Sequence, residues 1–169
     1  MADPADQFLA DILRQIDVHP TEPLDFRRGG PDVVRVLTAA ATYFNTLAVA
    51  QFGGRQGNVR HEGLVEQVVA AAFQTYAGTD PHPGPFEKAA MLFRGITAGN
   101  PFQDGNKRTG FLLASFYLEQ VGAPLPAGFS VEQAEDLCLQ VSSGALREVE
   151  EIARRLEHIW QSSWRAPVE

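Results

Sequence analysis

Apolar residues recur at every third or fourth position along nearly the whole chain, the repeat of a helix with one buried face. Ala5, Phe8, Leu9, Ile12, Leu13 and Ile16 keep that spacing behind Asp3-Pro4, a cap and first-turn pair. Pro31-Asp32 opens a second helix to about Val49, with a stripe of Val33, Leu37, Ala40, Ala41, Phe44 and Leu47. After "RHEG", the residues Val65, Val68, Val69, Ala72, Phe73 and Tyr76 predict a third. "FEKAAMLFRGITAG" predicts a fourth, ending on Gly99 as a glycine cap. "KRTGFLLASFYLEQVG" is apolar on most sides, which predicts a central fifth helix. Ser130 and Gln133 form a capping box for a sixth, running to Ser142 or Ser143. Val149, Ile152, Ala153, Leu156, Ile159 and Trp160 define the last. Strand-like alternation is missing, so the expected fold is all-α.

The 169 residues suit one domain with its own core. The expected division is an N-terminal helical part, 1–50, packed on a main part, 51–165, the two forming one structural unit. A net charge of −7 argues against a nucleic-acid binder, though not against a small anion held by a local cluster. Cys138 is the only cysteine, which excludes an internal disulfide, and it reads as a packing residue on a helix face. No apolar run approaches the ~18 residues of a membrane span, and "MADPADQF" is too polar for a secretory signal, so a cytoplasmic protein is expected. Two glycine-rich basic loops, "RRGG" at 27–30 and "QFGGRQGNVRHEG" at 51–63, are either surface connections or parts of a ligand site. "AGTDPHPGP" at 77–85 is either a stiff connector or a flap for a partner chain, and the tail "RAPVE" is expected to fray.

Chemistry concentrates in "GNPFQDGNKRTG", residues 99–110. A helix starting near Lys107 aims unpaired N–H groups and the positive end of its dipole back at the preceding loop, an anion site. Gly105 permits close backbone approach, Asn106 offers an amide N–H to a phosphate oxygen, and Lys107 and Arg108 add two cations. Asp104 supplies an oxygen for Mg²⁺, which keeps several waters and shares phosphate oxygens. Phe102 is expected to plug into the core. A plain turn before a solvated helix start would use the same residues, and no Walker loop is present.

"NPFQDGNKRTGFLLASFYLEQVG" resembles the signature of the Fic/death-on-curing superfamily, H-x-F-x-[D/E]-[G/A]-N-K/G-R. Lys107 followed by Arg108-Thr109 resembles the death-on-curing branch; members that transfer AMP carry glycine at the first of these positions and a second arginine where this chain has Phe111. "FGGRQGNVRHEGLVEQVV" and "AEDLCLQVSSGALREVEEIARRL" resemble that branch's upstream loop and closing helices, so the likeness covers about residues 50–160. The resemblance implies an Mg²⁺ ligand at Asp104 and a phosphate-binding anion hole at Gly105, Asn106, Lys107 and Arg108. It also implies a target-docking flap at "TDPHPGP", with Asp80, His82 and Pro83. The implied reaction moves phosphate or a nucleotidyl group such as AMP from ATP or another nucleotide to a hydroxyl of a target protein. In the death-on-curing branch the target is a translation elongation factor, and a small antitoxin silences the toxin.

The chain departs from the signature at its first position, where Asn100 replaces the histidine that would take the hydroxyl proton. An amide does not titrate near neutrality, and a positioned general base is worth ~10²–10⁴-fold. The expectation is a nucleotide site with transfer lost or strongly reduced. Asn100 is then a deliberate knock-out, the mark of a natural nucleotide- or protein-binding pseudoenzyme, or a sign that the nucleophile is already activated or that another residue substitutes. His61 and His82 lie in the loops expected nearest the site, whereas His19 and His158 are expected far from it. The family's self-inhibitory pattern, [S/T]-x-x-x-E-[G/N], has no true match, since "NVRHEG" begins with Asn58.

Overall fold

The computed structural model describes residues 3–54, 59–61 and 63–162, the side chain of Ser162 excepted. Asn58, Glu62 and the tail "RAPVE" therefore lie outside the described residues. Among the described residues the chain forms helices α1 (Pro4–Gln15), α2 (Pro31–Phe52), α3 (Leu64–Ala71), α4 (Pro85–Thr97), α5 (Asn106–Gln120), α6 (Val131–Ser142) and α7 (Val149–Ser162). Two isolated β-bridges, Val59 with Phe102 and Tyr76 with Thr79, are the only strand-like pairings there. The all-α expectation holds.

The caps explain several of the boundaries. Asp3 accepts a bond from the Ala5 N–H (3.0 Å) with Pro4 in the first turn, and Ser130 Oγ accepts from the Gln133 N–H (3.2 Å). All seven helices contribute to one core, from Ile12 of α1 to Trp160 of α7. α2 runs on to Phe52 and packs against α5. α2 is also long and apolar enough to cross a membrane, at a mean hydropathy of 1.4, which the sequence reading missed. Here it is a core helix, with Val36, Leu37, Ala40 and Ala41 wholly covered. α3 is shorter than its periodicity suggests. Tyr76 lies beyond it in a turn, paired through its backbone with Thr79 (2.8 and 2.9 Å), and its ring is exposed.

α5 is the central helix, as expected, with Leu113, Ala114, Tyr117 and Leu118 fully covered. It lies close against α4 at Gly110, where a Cβ would collide with Thr97 Oγ1 and approach the Phe93 carbonyl oxygen to 3.1 Å. Trp160 of α7 donates its indole N–H to the Ala123 carbonyl (2.9 Å), tying the end of the chain to the turn after α5.

The segment 77–85 is tied to α4 by charge. Lys88, 1% exposed, donates to the Ala72 carbonyl (3.1 Å) and to Asp80 Oδ2 (2.6 Å), and lies over the Phe73 ring. Asp80 Oδ1 accepts the His82 N–H (2.9 Å), so this loop is bound at its centre by a buried cation. The bond from Lys88 holds the Asp80 carboxyl below its ordinary value of 3.8, against the opposing effect of burial. "RRGG" is also structural: Asp25 accepts the Arg27 and Arg28 N–H groups (both 3.1 Å), and Arg27 reaches the Val121 carbonyl (2.9 Å) at the far end of α5.

Removing the Asp80 charge leaves Lys88 buried without its counter-ion. Asp80→Asn is expected to cost about 2–3 kcal/mol at neutral pH, below the ~3–5 kcal/mol of a fully buried pair, because Asp80 still meets water. A depressed carboxyl contributes stability above its unfolded pKa and loses it as pH falls through the lower folded value. Urea denaturation between pH 7 and 2 should therefore show a steeper acid loss in the parent than in Asp80→Asn.

Candidate active site

The site is built where α4 stops and α5 begins. The Asn100 N–H still reaches the Ile96 carbonyl (3.1 Å), but its backbone turns left-handed, at φ +48°. The left-handed residue after α4 is thus Asn100, two positions past the C-cap Ala98, and Gly99 is not the left-handed glycine expected there. Asparagine is among the few residues that occupy this region readily. Gly99 meets another need: a Cβ there would strike the Gly95 carbonyl oxygen. Asn100 is exposed, and its amide donates to the Ala98 carbonyl (3.3 Å).

Phe102 is 1% exposed, the expected plug. Asn106 closes the loop over it. Its Oδ1 accepts the Phe102 N–H (3.0 Å) and its Nδ2 donates to the Phe102 carbonyl (2.8 Å), so the buried amide is engaged with the loop's own backbone. This differs from the expected donor to phosphate, and it has a physical reason: a buried backbone pair needs partners. Gly105 then takes φ +77° and starts α5. The helix's first bond runs from the Thr109 N–H to the Gly105 carbonyl (3.0 Å), with the N–H groups of Asn106, Lys107 and Arg108 ahead of it. A glycine cap has no side chain to offer them.

The C-terminal turns of α2 support this loop. Asn45, 1% exposed, donates through Nδ2 to the Asp104 carbonyl (2.7 Å) and to Thr109 Oγ1 (3.3 Å). A Cβ on Gly105 would lie 3.1 Å from that Nδ2 and 3.3 Å from Val49 Cγ2. Phe52 carries the Arg108 guanidinium over its ring at 3.6 Å, and a Cβ on Gly54 would lie 2.8 Å from Asp104 Cβ. Asp104 and Arg108 are therefore brought to the same short segment, 52–54. Sequence reading missed Asn45 and Phe52. Leu47, which it placed on the buried stripe, is 41% exposed. The available signal for Asn45 was a lone amide at helical spacing between Ala41 and Ala48.

The loop at 51–63 joins the site, whereas the loop at 77–85 does not. Val59 bridges Phe102, and the Arg60 N–H donates to the Pro101 carbonyl (2.8 Å). Asp80, His82 and Pro83 precede α4, whose length of about 20 Å separates them from the loop that follows it. The residues bridged to the motif loop are Val59 and Arg60, whereas Asp80, His82 and Pro83 stand before the opposite end of α4. His61 is exposed beside that bridge, while His82 sits 3.7 Å from Glu87 at the remote end. His19 pairs with Asp17 (2.9 Å), and His158 is exposed on α7. Lys107 is exposed on the first turn, and its carbonyl accepts the Cys138 S–H (3.7 Å). Burial pushes the Cys138 thiol up to about 11, which fits a packing residue.

The assembled site offers three backbone N–H groups, two cations and one carboxylate at one helix start. That set suits a polyanion with a hard divalent cation. Among the described residues no three His, Cys, Asp or Glu side chains form a cluster able to hold a metal without such help.

Comparison with known proteins agrees with this geometry. A Fic/DOC family model matches residues 35–118, which span both the supporting turns of α2 and the motif loop. A protein named Toxin Doc from Mycolicibacterium smegmatis is 38% identical over 92 residues, covering 54% of this chain and 70% of the relative. With 70% of that relative covered at such identity, the chain belongs to the Fic/DOC family.

Proposed function

We propose that the chain binds a nucleotide with Mg²⁺ at the start of α5 and is a toxin-like phosphoryl or nucleotidyl transferase whose transfer step is attenuated at Asn100. The observation that carries this reading is the meeting of Asp104 and Arg108 at segment 52–54, beside the first turn of α5, whose leading N–H groups have no partner among the described residues. Asp104 would hold the metal jointly with the phosphates, and the metal would neutralise phosphate charge there. Arg108 and Lys107 bind the anion, Arg108 in a bidentate manner. Asn45, Asn106 and Gly105 keep the backbone N–H groups in position. Gly105 and Gly54 leave room for the backbone beside the ligand.

The acceptor would be a hydroxyl on a target protein, a translation factor by analogy with the death-on-curing branch. Asn100 can orient such a hydroxyl by hydrogen bonding but cannot take its proton. The relative's name, Toxin Doc, supports a toxin role here, and with it a small antitoxin partner in the cytoplasm. Neither a membrane nor nucleic acid takes part in this reading.

Calorimetry should detect Mg²⁺-dependent binding of ATP or another nucleotide. Replacing Arg108 and Asp104 by alanine together should weaken it by at least about tenfold, the scale of one charge-assisted hydrogen bond. Affinity that survives both changes defeats the proposal. Asn100→His should raise label transfer to a proven target by ~10²–10⁴-fold. If transfer stays at the parent level while binding persists, the protein works as a nucleotide-binding pseudoenzyme.

A further inference from the structure

Phe52 is the last residue of α2, and its ring is 59% exposed, outside the buried core cluster. A large apolar ring so placed adds little to folding, so its position calls for another explanation. Among the described residues its ring meets Arg108, whose Cζ stands 3.6 Å from the ring centroid, well inside the ~6 Å reach of a cation–π contact. Among the described residues no carboxylate forms an ion pair with Arg108, so the aromatic ring is what holds this guanidinium. The chain then continues through Gly53 to Gly54, which lies against the side chain of Asp104.

We propose that Phe52 is a positioning residue for the anion site, holding Arg108 at the start of α5 by stacking; the inference rests on the nucleotide reading above. An arginine side chain has large rotamer freedom, which an unrestrained guanidinium would lose on meeting phosphate. Held over a ring, it has lost part of that freedom before the ligand arrives, and its N–H donors remain available for bidentate bonding. The same turn of chain therefore orients the cation through Phe52 and borders the carboxylate through Gly54. Their separation along the chain is short enough that the two would move together.

The test combines binding with a direct view of the stack. Phe52→Leu keeps an apolar helix former and removes the aromatic face. It should weaken Mg²⁺–nucleotide binding by about two- to fivefold, the equivalent of an exposed cation–π contact, with no change in thermal stability. Phe52→Tyr should restore parental affinity. In an Arg108→Ala background, Phe52→Leu should change nothing further, because the ring acts through that guanidinium. Arg108 side-chain proton resonances should carry a ring-current shift in the parent and lose it in Phe52→Leu. Parental affinity in Phe52→Leu, or an equal loss in the Arg108→Ala background, overturns the inference while leaving the nucleotide reading intact. A parent that binds no nucleotide overturns that reading, and with it the ligand half of the inference. The ring-current shift then decides alone whether Phe52 orders Arg108, and an unshifted Arg108 overturns that half too.

Discussion

The site depends on one small clamp, the two-point bond between the Asn106 side chain and the Phe102 backbone. The chain must leave α4, reverse, and re-enter as α5 with its first N–H groups aimed at solvent. Phe102 anchors the middle of this reversal in the core, but burying the residue also buries its backbone polar groups. Asn106 satisfies both of them with one amide, and as the first residue of α5 it thereby joins the plug to the helix start. An alanine there would leave a buried donor and acceptor unpaired, at ~1–3 kcal/mol each. An aspartate would satisfy only the donor. Asparagine's donor and acceptor on one planar group make it the fitting residue.

α2 extends the same principle outward. Asn45, Ala48, Val49 and Phe52 lie at helical spacing along one face, and together they meet the loop and the first turn of α5. Asn45 takes the Asp104 carbonyl, Val49 and Ala48 close on Gly105, and Phe52 takes Arg108. One rigid helix thus sets the positions of a carboxylate residue, a turn glycine and a cation relative to one another. This is why α2 belongs to the functional unit despite lying far upstream in sequence.

How much of this was legible follows from the range of each interaction. Helix positions were readable because the 3.6-residue repeat is local, and the caps at Asp3 and Ser130 are local too. The charged cluster of the candidate site was readable because Lys107 and Arg108 are consecutive and lie close to Asp104 in the chain. What could not be read were contacts between residues far apart in sequence: Asn45 to Asp104, Phe52 to Arg108, Val59 to Phe102. Periodicity gives the direction of a face, not the loop that meets it, and so Leu47 was favoured over Asn45. The place of the proline-rich segment was not readable for a related reason. Composition marks a loop as stiff and exposed, but the end of the bundle on which it falls depends on the length and direction of α4.

Asn100 joins these points. Its backbone lies in a region disfavoured for most side chains and open to asparagine, so the residue serves the end of α4 well. Histidine is also enriched in that region, which means that the backbone alone does not choose between the two. Among the described residues the exposed side chain at 100 bonds only the Ala98 carbonyl, so the fold described does not choose either. Asp104, Arg108 and the helix start are held by Asn45, Phe52 and Asn106, none of which contacts residue 100 in the bonds described. On the proposed reading, anion binding and proton removal would therefore rest on separate supports, and the identity of residue 100 could alter the second without disturbing the first.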